Sequence, residues 1–280
     1  MRTPRWQVGF LATLLFTGIA VAPASAQLPT NDPPWLGYFA VSSNRHYEFS
    51  LTTHGKIMLT PVRENQKPVW DTLAIPIAIV VEESRPDGKT STKLIQPTTL
   101  KSSDHATTAL EKTTIHGQVT GGAVFEVSLE QNRGVISIGG RLIDPGTLKQ
   151  NPLKFSIRVK FPPFYSSTKK TNKDRAKIFE KKISDDRIDV TWIDGKGKRQ
   201  KFGQAIDAAS KDLNGPGIAA VQIESSAYPG RKFQFTASPH SSMTLSNEKN
   251  TPLHKGFSIL WTSSPAKDPE GKARLSFEVK

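Results

Sequence analysis

The alternation of apolar and polar residues limits the possible folds of this chain most strongly. It occurs in short runs that are separated by turn-forming residues. In "AVFEVSLEQNRGVISIGGRLI" (123–143), Phe125, Val127 and Leu129 alternate with other residues before "QNRG" reverses the chain. The run "LKFSIRVKF" (153–161) repeats this alternation, with serine, arginine and lysine on its second face. A period of two is typical of half-buried strands with one face in water.

Similar runs recur at a spacing of roughly ten residues from Gly37 to Phe161 and again beyond Arg187. This rhythm predicts an all-β fold, an antiparallel β-sandwich of the jelly-roll or super-sandwich type. The period changes in "STKKTNKDRAKIFEKKISDD" (167–186), where apolar residues recur three and four positions apart. We therefore expect one short amphipathic helix near residues 173–183.

The first 26 residues have the features of an export signal. Arg2 and Arg5 precede an apolar run at 8–21, and Ala24-Ser25-Ala26 forms a small-x-small cleavage motif. We expect a secreted or periplasmic protein, and no later segment reaches 18 apolar residues, so none is expected to span a membrane after cleavage. Residues 27–280 would form one large β-sandwich region; the alternative is two β domains divided near 162–173.

The residue types also exclude several chemistries. The chain contains no cysteine, which excludes disulfides, thiol catalysis, cysteine metal sites and the lipid attachment of a lipoprotein. No two histidines have a local metal-binding spacing, and no serine stands in a G-x-S-x-G motif. We therefore predict no metal, no cofactor and no catalytic residue from spacing. The histidines are His46, His54, His105, His116, His240 and His254.

The chain is strongly basic, with 38 lysines and arginines against 25 acidic residues and a net charge of +13. Removal of the signal would leave 36 basic residues and a charge of +11, of which +6 falls between Lys169 and Lys201. Such a surplus favours association with polyanions and weakens with salt. Within this stretch we place the electrostatic contact at the hairpin tip "DGKGKRQK", although an ordinary solvated face is the alternative. Its four cations are Lys196, Lys198, Arg199 and Lys201.

These features predict an exported β-sandwich that binds an acidic polysaccharide or a cell-surface protein. Nucleic acid is the least expected polyanion outside the cytoplasm. Trp35 in "DPPWLG" and Trp70 in "QKPVWDT" lie in proline-flanked polar segments, where an exposed ring could stack on a sugar face. We include both tryptophans as candidate binding residues.

Two other functions stay open. A lyase-like, polysaccharide-active enzyme could assemble its site from distant strands, because elimination from a uronic acid needs a base beside cations that neutralise the carboxylate. The candidates for those roles are His116, Tyr165, Arg141 and Arg158. A purely structural module is the second alternative. The absence of any recognisable catalytic spacing favours binding over catalysis.

Overall fold

The computed structural model describes residues 37–62, 74–103, 110–163, 184–203, 211–248 and 251–280. Almost all regular structure in these ranges is antiparallel β-sheet, which confirms the predicted all-β sandwich. The strands are β1 (Tyr38–Ser43), β2 (Tyr47–Thr52), β3 (Ile57–Pro61), β4 (Ile75–Ser84), β5 (Thr90–Lys93), β6 (Ile95–Ser102), β7 (Lys112–Val119), β8 (Val124–Asn132), β9 (Val135–Asp144), β10 (Leu153–Phe161), β11 (Arg187–Trp192), β12 (Gly197–Lys201), β13 (Ile218–Glu224), β14 (Lys232–Ala237), β15 (Ser241–Ser246), β16 (Phe257–Ser263) and β17 (Leu275–Val279). A four-residue helix, Lys211–Asn214, and two 3-10 turns, Gly146–Leu148 and Leu253–Lys255, complete the elements.

Strand pairing divides the sheet into two runs. The first run has the order β1-β2-β3-β4-β10-β16-β15, with β5 beside the end of β4, and the second has the order β12-β11-β13-β14-β17-β9-β8-β7-β6. A single pair, Ile218 with Met243, joins β13 to β15 at a corner between the runs. Because a jelly roll has about eight strands, the seventeen strands seen here fit the super-sandwich type.

The two runs pack face to face around an aromatic core. Phe161 of β10 contacts Phe233 and Phe235 of β14 edge-on, with ring centroids 5.6 and 5.9 Å apart. Phe49 of β2 lies 6.4 Å from Phe277 of β17. Buried residues of the other strands form one core between the runs, whereas β5 and β12 contribute none.

The structure confirms the predicted hairpin at 123–143. Phe125, Val127 and Leu129 are fully buried, and β8 and β9 meet at Arg133 and Gly134. The predicted signal (1–26) and the helix near 173–183 lie outside the described residues. Most of the possible domain boundary at 162–173 does too, although strands on its two sides pair, β9 with β17 and β10 with β16. No helix in the described ranges is long and apolar enough to cross a membrane.

Candidate anion-binding site

The hairpin tip between β11 and β12 carries the four cations singled out in the sequence. Arg199 pairs with Asp189 through two hydrogen bonds, Nε to Oδ1 at 2.6 Å and Nη2 to Oδ2 at 3.0 Å, and this pairing raises the pKa of Arg199. Lys198 lies 3.6 Å from Asp212 in the short helix. Two of the four charges therefore face a carboxylate.

The four tip cations also point in different directions. Strand alternation places Arg199 and Lys201 on the outer face of β12 and Lys198 on the opposite face, while Lys196 is exposed in the turn. The structure therefore brings only Arg199 and Lys201 to one surface. A binding role for the tip stays a prediction. Trp35 and Trp70 lie outside the described residues.

A row of charged side chains continues from the tip across the outer face of the second run. Lys201 is in register with Arg187, Arg187 with Glu224, and Glu224 with Lys232, whose backbone pairs with that of Lys280. Burial alone would raise the pKa of Glu224, but hydrogen bonds from Lys232 and Arg187 outweigh it and lower the pKa. In this row Glu224 thus contacts two cations, Arg187 and Lys232, while Glu278 contacts Lys280 at 3.2 Å.

Two clefts open where this row reaches the end of the sandwich. One, of about 680 Å³, is lined by four cations and three carboxylates: Arg187, Arg231, Lys232 and Lys280, with Asp185, Asp186 and Glu224. The other, of about 670 Å³, is lined by Lys280 together with residues of the β1–β2 and β8–β9 turns, among them Asn44, His46 and Glu278. We call this region the cationic end and define it by Arg45, Arg133, Arg187, Arg231, Lys232 and Lys280.

Arg231 is a buried cation between the two clefts. Its side chain donates only to backbone carbonyls: Nε to Val62 at 2.7 Å, Nη2 to Arg45 at 3.1 Å and Nη1 to Gly230 at 3.3 Å. The residue is 7% exposed and forms no ion pair with a carboxylate in the ranges given above. Its positive charge is therefore not neutralised by direct contact, although carboxylates line both clefts, and it acts on His46 in the second cleft.

The pKa of His46 reflects its burial and the positive charges around it. Burial, and then the charges of Arg231 and Arg45, lower its pKa. Its Nε2 accepts a hydrogen bond of 2.9 Å from Nε of Arg45, so the proton of the neutral ring lies on Nδ1. The cleft thus contains a neutral imidazole that fixes an arginine at its rim.

Arg133 occupies the tip of the β8–β9 turn in an unfavourable backbone conformation. Arg133 has a φ of 48° and Gly134 a φ of 84°, so both central residues of this two-residue turn are left-handed. That turn type, I′, prefers asparagine, aspartate or glycine at both positions. The hydroxyl of Tyr47 donates to the carbonyl of Gly134 at 3.1 Å and holds the turn, while the exposed Arg133 lines the cleft and has no ion pair within the described ranges.

Of the residues proposed for an elimination reaction, the structure brings His116 and Arg141 to one carboxylate, Glu126, but places Arg158 elsewhere. On the outer face of the second run, Glu126 binds His116 (Nε2 to Oε2, 3.0 Å) and lies 3.7 Å from Nε of Arg141. Arg158 contacts Glu82 on the other run at 3.6 Å, and Tyr165 lies outside the described residues. Across the same described ranges, no group of three or more histidines and carboxylates is placed to hold a metal ion.

Comparisons with known proteins show similarity of fold. No protein-family model and no curated protein matches the chain. Two solved structures of the α-N-acetylgalactosaminidase NagBb from Bifidobacterium bifidum are similar: its GalNAc complex (TM-score 0.52, 9% identity) and its Gal-NHAc-DNJ complex (TM-score 0.53, 8% identity). Each match covers 86% of this chain but only 35% and 36%, respectively, of the other. The chain thus spans about a third of NagBb and shares its fold over that part. The similarity defines the class of fold, an all-β sandwich, and the cationic end is described from this chain alone.

Proposed function

We propose that this protein is an exported β-sandwich that binds acidic polysaccharide through its cationic end. The observation that carries the proposal is Arg231, a buried cation without a carboxylate partner in the described chain, between two clefts rimmed by Arg45, Arg133 and Lys280. A guanidinium group can donate two parallel hydrogen bonds to the oxygens of a carboxylate. The fold shared with NagBb supports a carbohydrate as the source of those anions.

The shape and charge of the surface suit an extended polymer. The charged row crosses five adjacent chain segments from Lys201 to Lys280, and neighbouring strands are about 4.8 Å apart. Several repeating anions of one chain could therefore contact the row and the clefts at once. Many weak, solvent-exposed contacts of this kind sum to useful affinity and weaken steeply with salt.

Retention on immobilised polygalacturonate and alginate, with neutral dextran as reference, tests the proposal. We expect binding to both acidic polymers at low salt, little binding to dextran, and loss of binding as salt rises. The double variant Arg45→Gln with Arg133→Asn should weaken binding about tenfold, or about 1.4 kcal/mol.

A matched control separates the cationic end from net charge. Lys154 and Lys160 are exposed on β10 in the first run, so Lys154→Gln with Lys160→Gln removes the same charge elsewhere. We expect this control to change binding less than about twofold. Equal losses in the two double variants would contradict a localised site, and no binding to either acidic polymer would overturn the function.

A further inference from the structure

A separate cleft lies at the corner where β14 turns into β15, and we call it the corner cleft. Its volume is about 520 Å³, and its lining includes Ile193, Pro239, His240, Ser242, Ser263 and Lys267. Strand β14 runs from Lys232 at the cationic end to Ala237 at this corner, so the two sites are about 16 Å apart along the strand.

The turn that forms the corner cleft places a histidine where glycine is favoured. In Ser238-Pro239-His240-Ser241, the amide of Ser241 donates to the carbonyl of Ser238 at 3.2 Å, and the φ of His240 is 66°. Proline followed by a residue with positive φ is the pattern of a type II turn, whose third residue is normally glycine or asparagine. In the described chain, Arg133 and His240 are the two residues other than glycine with positive φ, and each lines a cleft.

Several hydrogen bonds hold this turn rigidly. The Ser241 hydroxyl donates to the carbonyl of Ser238 at 2.6 Å, and the Ser238 hydroxyl accepts from the amide of Arg274 at 2.7 Å. The carbonyl of His240 accepts from the amide of Ser264 at 2.9 Å. The backbone of His240 is therefore fixed at the edge of the cleft and its imidazole is exposed there, as expected where strain serves a site.

The lining chemistry defines the class of ligand. No carboxylate lines the corner cleft, whereas Lys267 contributes an exposed ammonium group with no ion pair among the described residues. The imidazole of His240 and the hydroxyls of Ser242 and Ser263 add hydrogen-bonding groups, and Ile193, 57% exposed, adds an apolar surface. Such a set complements a ring with one negative charge, several hydroxyls and an apolar face.

We propose that the corner cleft recognises a single uronic acid residue, with its carboxylate at Lys267 and His240 and its hydroxyls at the serines. This inference rests on the proposed function for the kind of polymer and adds a second site on the same molecule. The cationic end would hold a polymer by charge, and the corner cleft would distinguish a carboxylated sugar from a neutral one.

Calorimetric titration with trigalacturonate and with neutral maltotriose tests this inference. We expect trigalacturonate to bind more tightly than maltotriose, and His240→Gly to weaken trigalacturonate binding about fivefold. Lys267→Met should abolish the preference for trigalacturonate. Since glycine suits the turn, His240→Gly should leave the midpoint of thermal unfolding at or above that of the parent protein.

The cationic end supplies the control for this experiment. Arg133→Asn should weaken trigalacturonate binding less than His240→Gly does, and His240→Gly should weaken retention on polygalacturonate less than Arg133→Asn does. Loss of trigalacturonate binding in Arg133→Asn but not in His240→Gly would overturn the corner site while supporting the proposed function. Failure of all polymer binding with trigalacturonate binding intact would overturn the proposed function and leave the corner site.

Discussion

The hairpin tip of β11 and β12 carries four cations and the cationic end carries six, and the two regions present them differently. At the tip, cations adjacent in sequence diverge, and Asp189 and Asp212 neutralise two of them. At the cationic end, Arg45, Arg133, Arg231 and Lys280 come from separate chain segments and converge on two clefts. The density of charged residues along a sequence is therefore a poor guide to the electrostatic potential at a binding site.

Removing the buried cation Arg231 should produce the largest difference in stability between the cationic end and the tip. Arg231→Met leaves the carbonyls of Val62 and Arg45 without their donor, and we expect the free energy of unfolding to fall by about 3 kcal/mol. Urea denaturation measures this loss. Arg199→Met at the exposed tip is the control and should change stability little; similar losses for both variants would show that Arg231 has no special role.

Arg133→Asn should raise the stability of the protein while it weakens polymer binding. Asparagine tolerates the left-handed conformation, so we expect the free energy of unfolding to rise by about 1 kcal/mol. Retention on polygalacturonate should fall about threefold because one guanidinium of the rim is lost. Arg133→Lys keeps both the charge and the strain and should change neither quantity much. A fall in both stability and binding for Arg133→Asn would contradict this account.

Acidification should destabilise the protein through His46 at the cationic end. The pKa of His46 is lowered, so its unfolded form takes up a proton near pH 6.5 while the folded form does not. Stability is therefore full above about pH 6.5 and falls as pH drops toward the folded pKa.

The midpoint of thermal unfolding at pH 7.5 and 5.5 measures this effect, and His46→Gln should reduce the difference. His254, whose pKa is lowered by burial and then by Lys255, contributes in the same direction, so some dependence should remain in that variant. An unchanged difference in His46→Gln would show that its titration does not affect stability.

Neutralising the tip should weaken binding less per charge removed than Arg133→Asn does. We expect replacement of Lys196, Lys198, Arg199 and Lys201 by glutamine to weaken polygalacturonate binding about threefold, since two of these cations already face carboxylates. The same change at Lys169, Lys170, Lys173 and Lys177 should weaken it less. Equal effects of the two sets of replacements would mean that residues 169–201 contribute to binding only through their net charge.

The fold was predictable because its signal is local. The alternation at Phe125, Val127 and Leu129 and the turn "QNRG" indicate a hairpin directly, and the structure confirms both. The pairing partners of distant strands, such as β10 with β16, depend on contacts that no local pattern encodes.

The site was less predictable because it depends on tertiary contacts. Alternation along β12 could have placed Lys198 opposite Arg199, but the approach of Asp212 to Lys198 follows only from the packed helix. Two turns did carry a readable signal: Arg133-Gly134 stands where Asn-Gly is favoured, and Pro239-His240 where Pro-Gly is favoured. A residue that is unfavourable at its position in a turn is thus a useful marker of a candidate binding site.

The carbonyl contacts of Arg231 connect ligand binding to local unfolding. Its guanidinium belongs to the β13–β14 turn but binds the chain at Arg45 and Val62 in the other layer, where the amide of Val62 also donates to His46. Opening of this end and release of a bound anion would therefore be coupled events. Hydrogen exchange at the Val62 amide should then slow as the site fills, which gives a reporter of occupancy without any label.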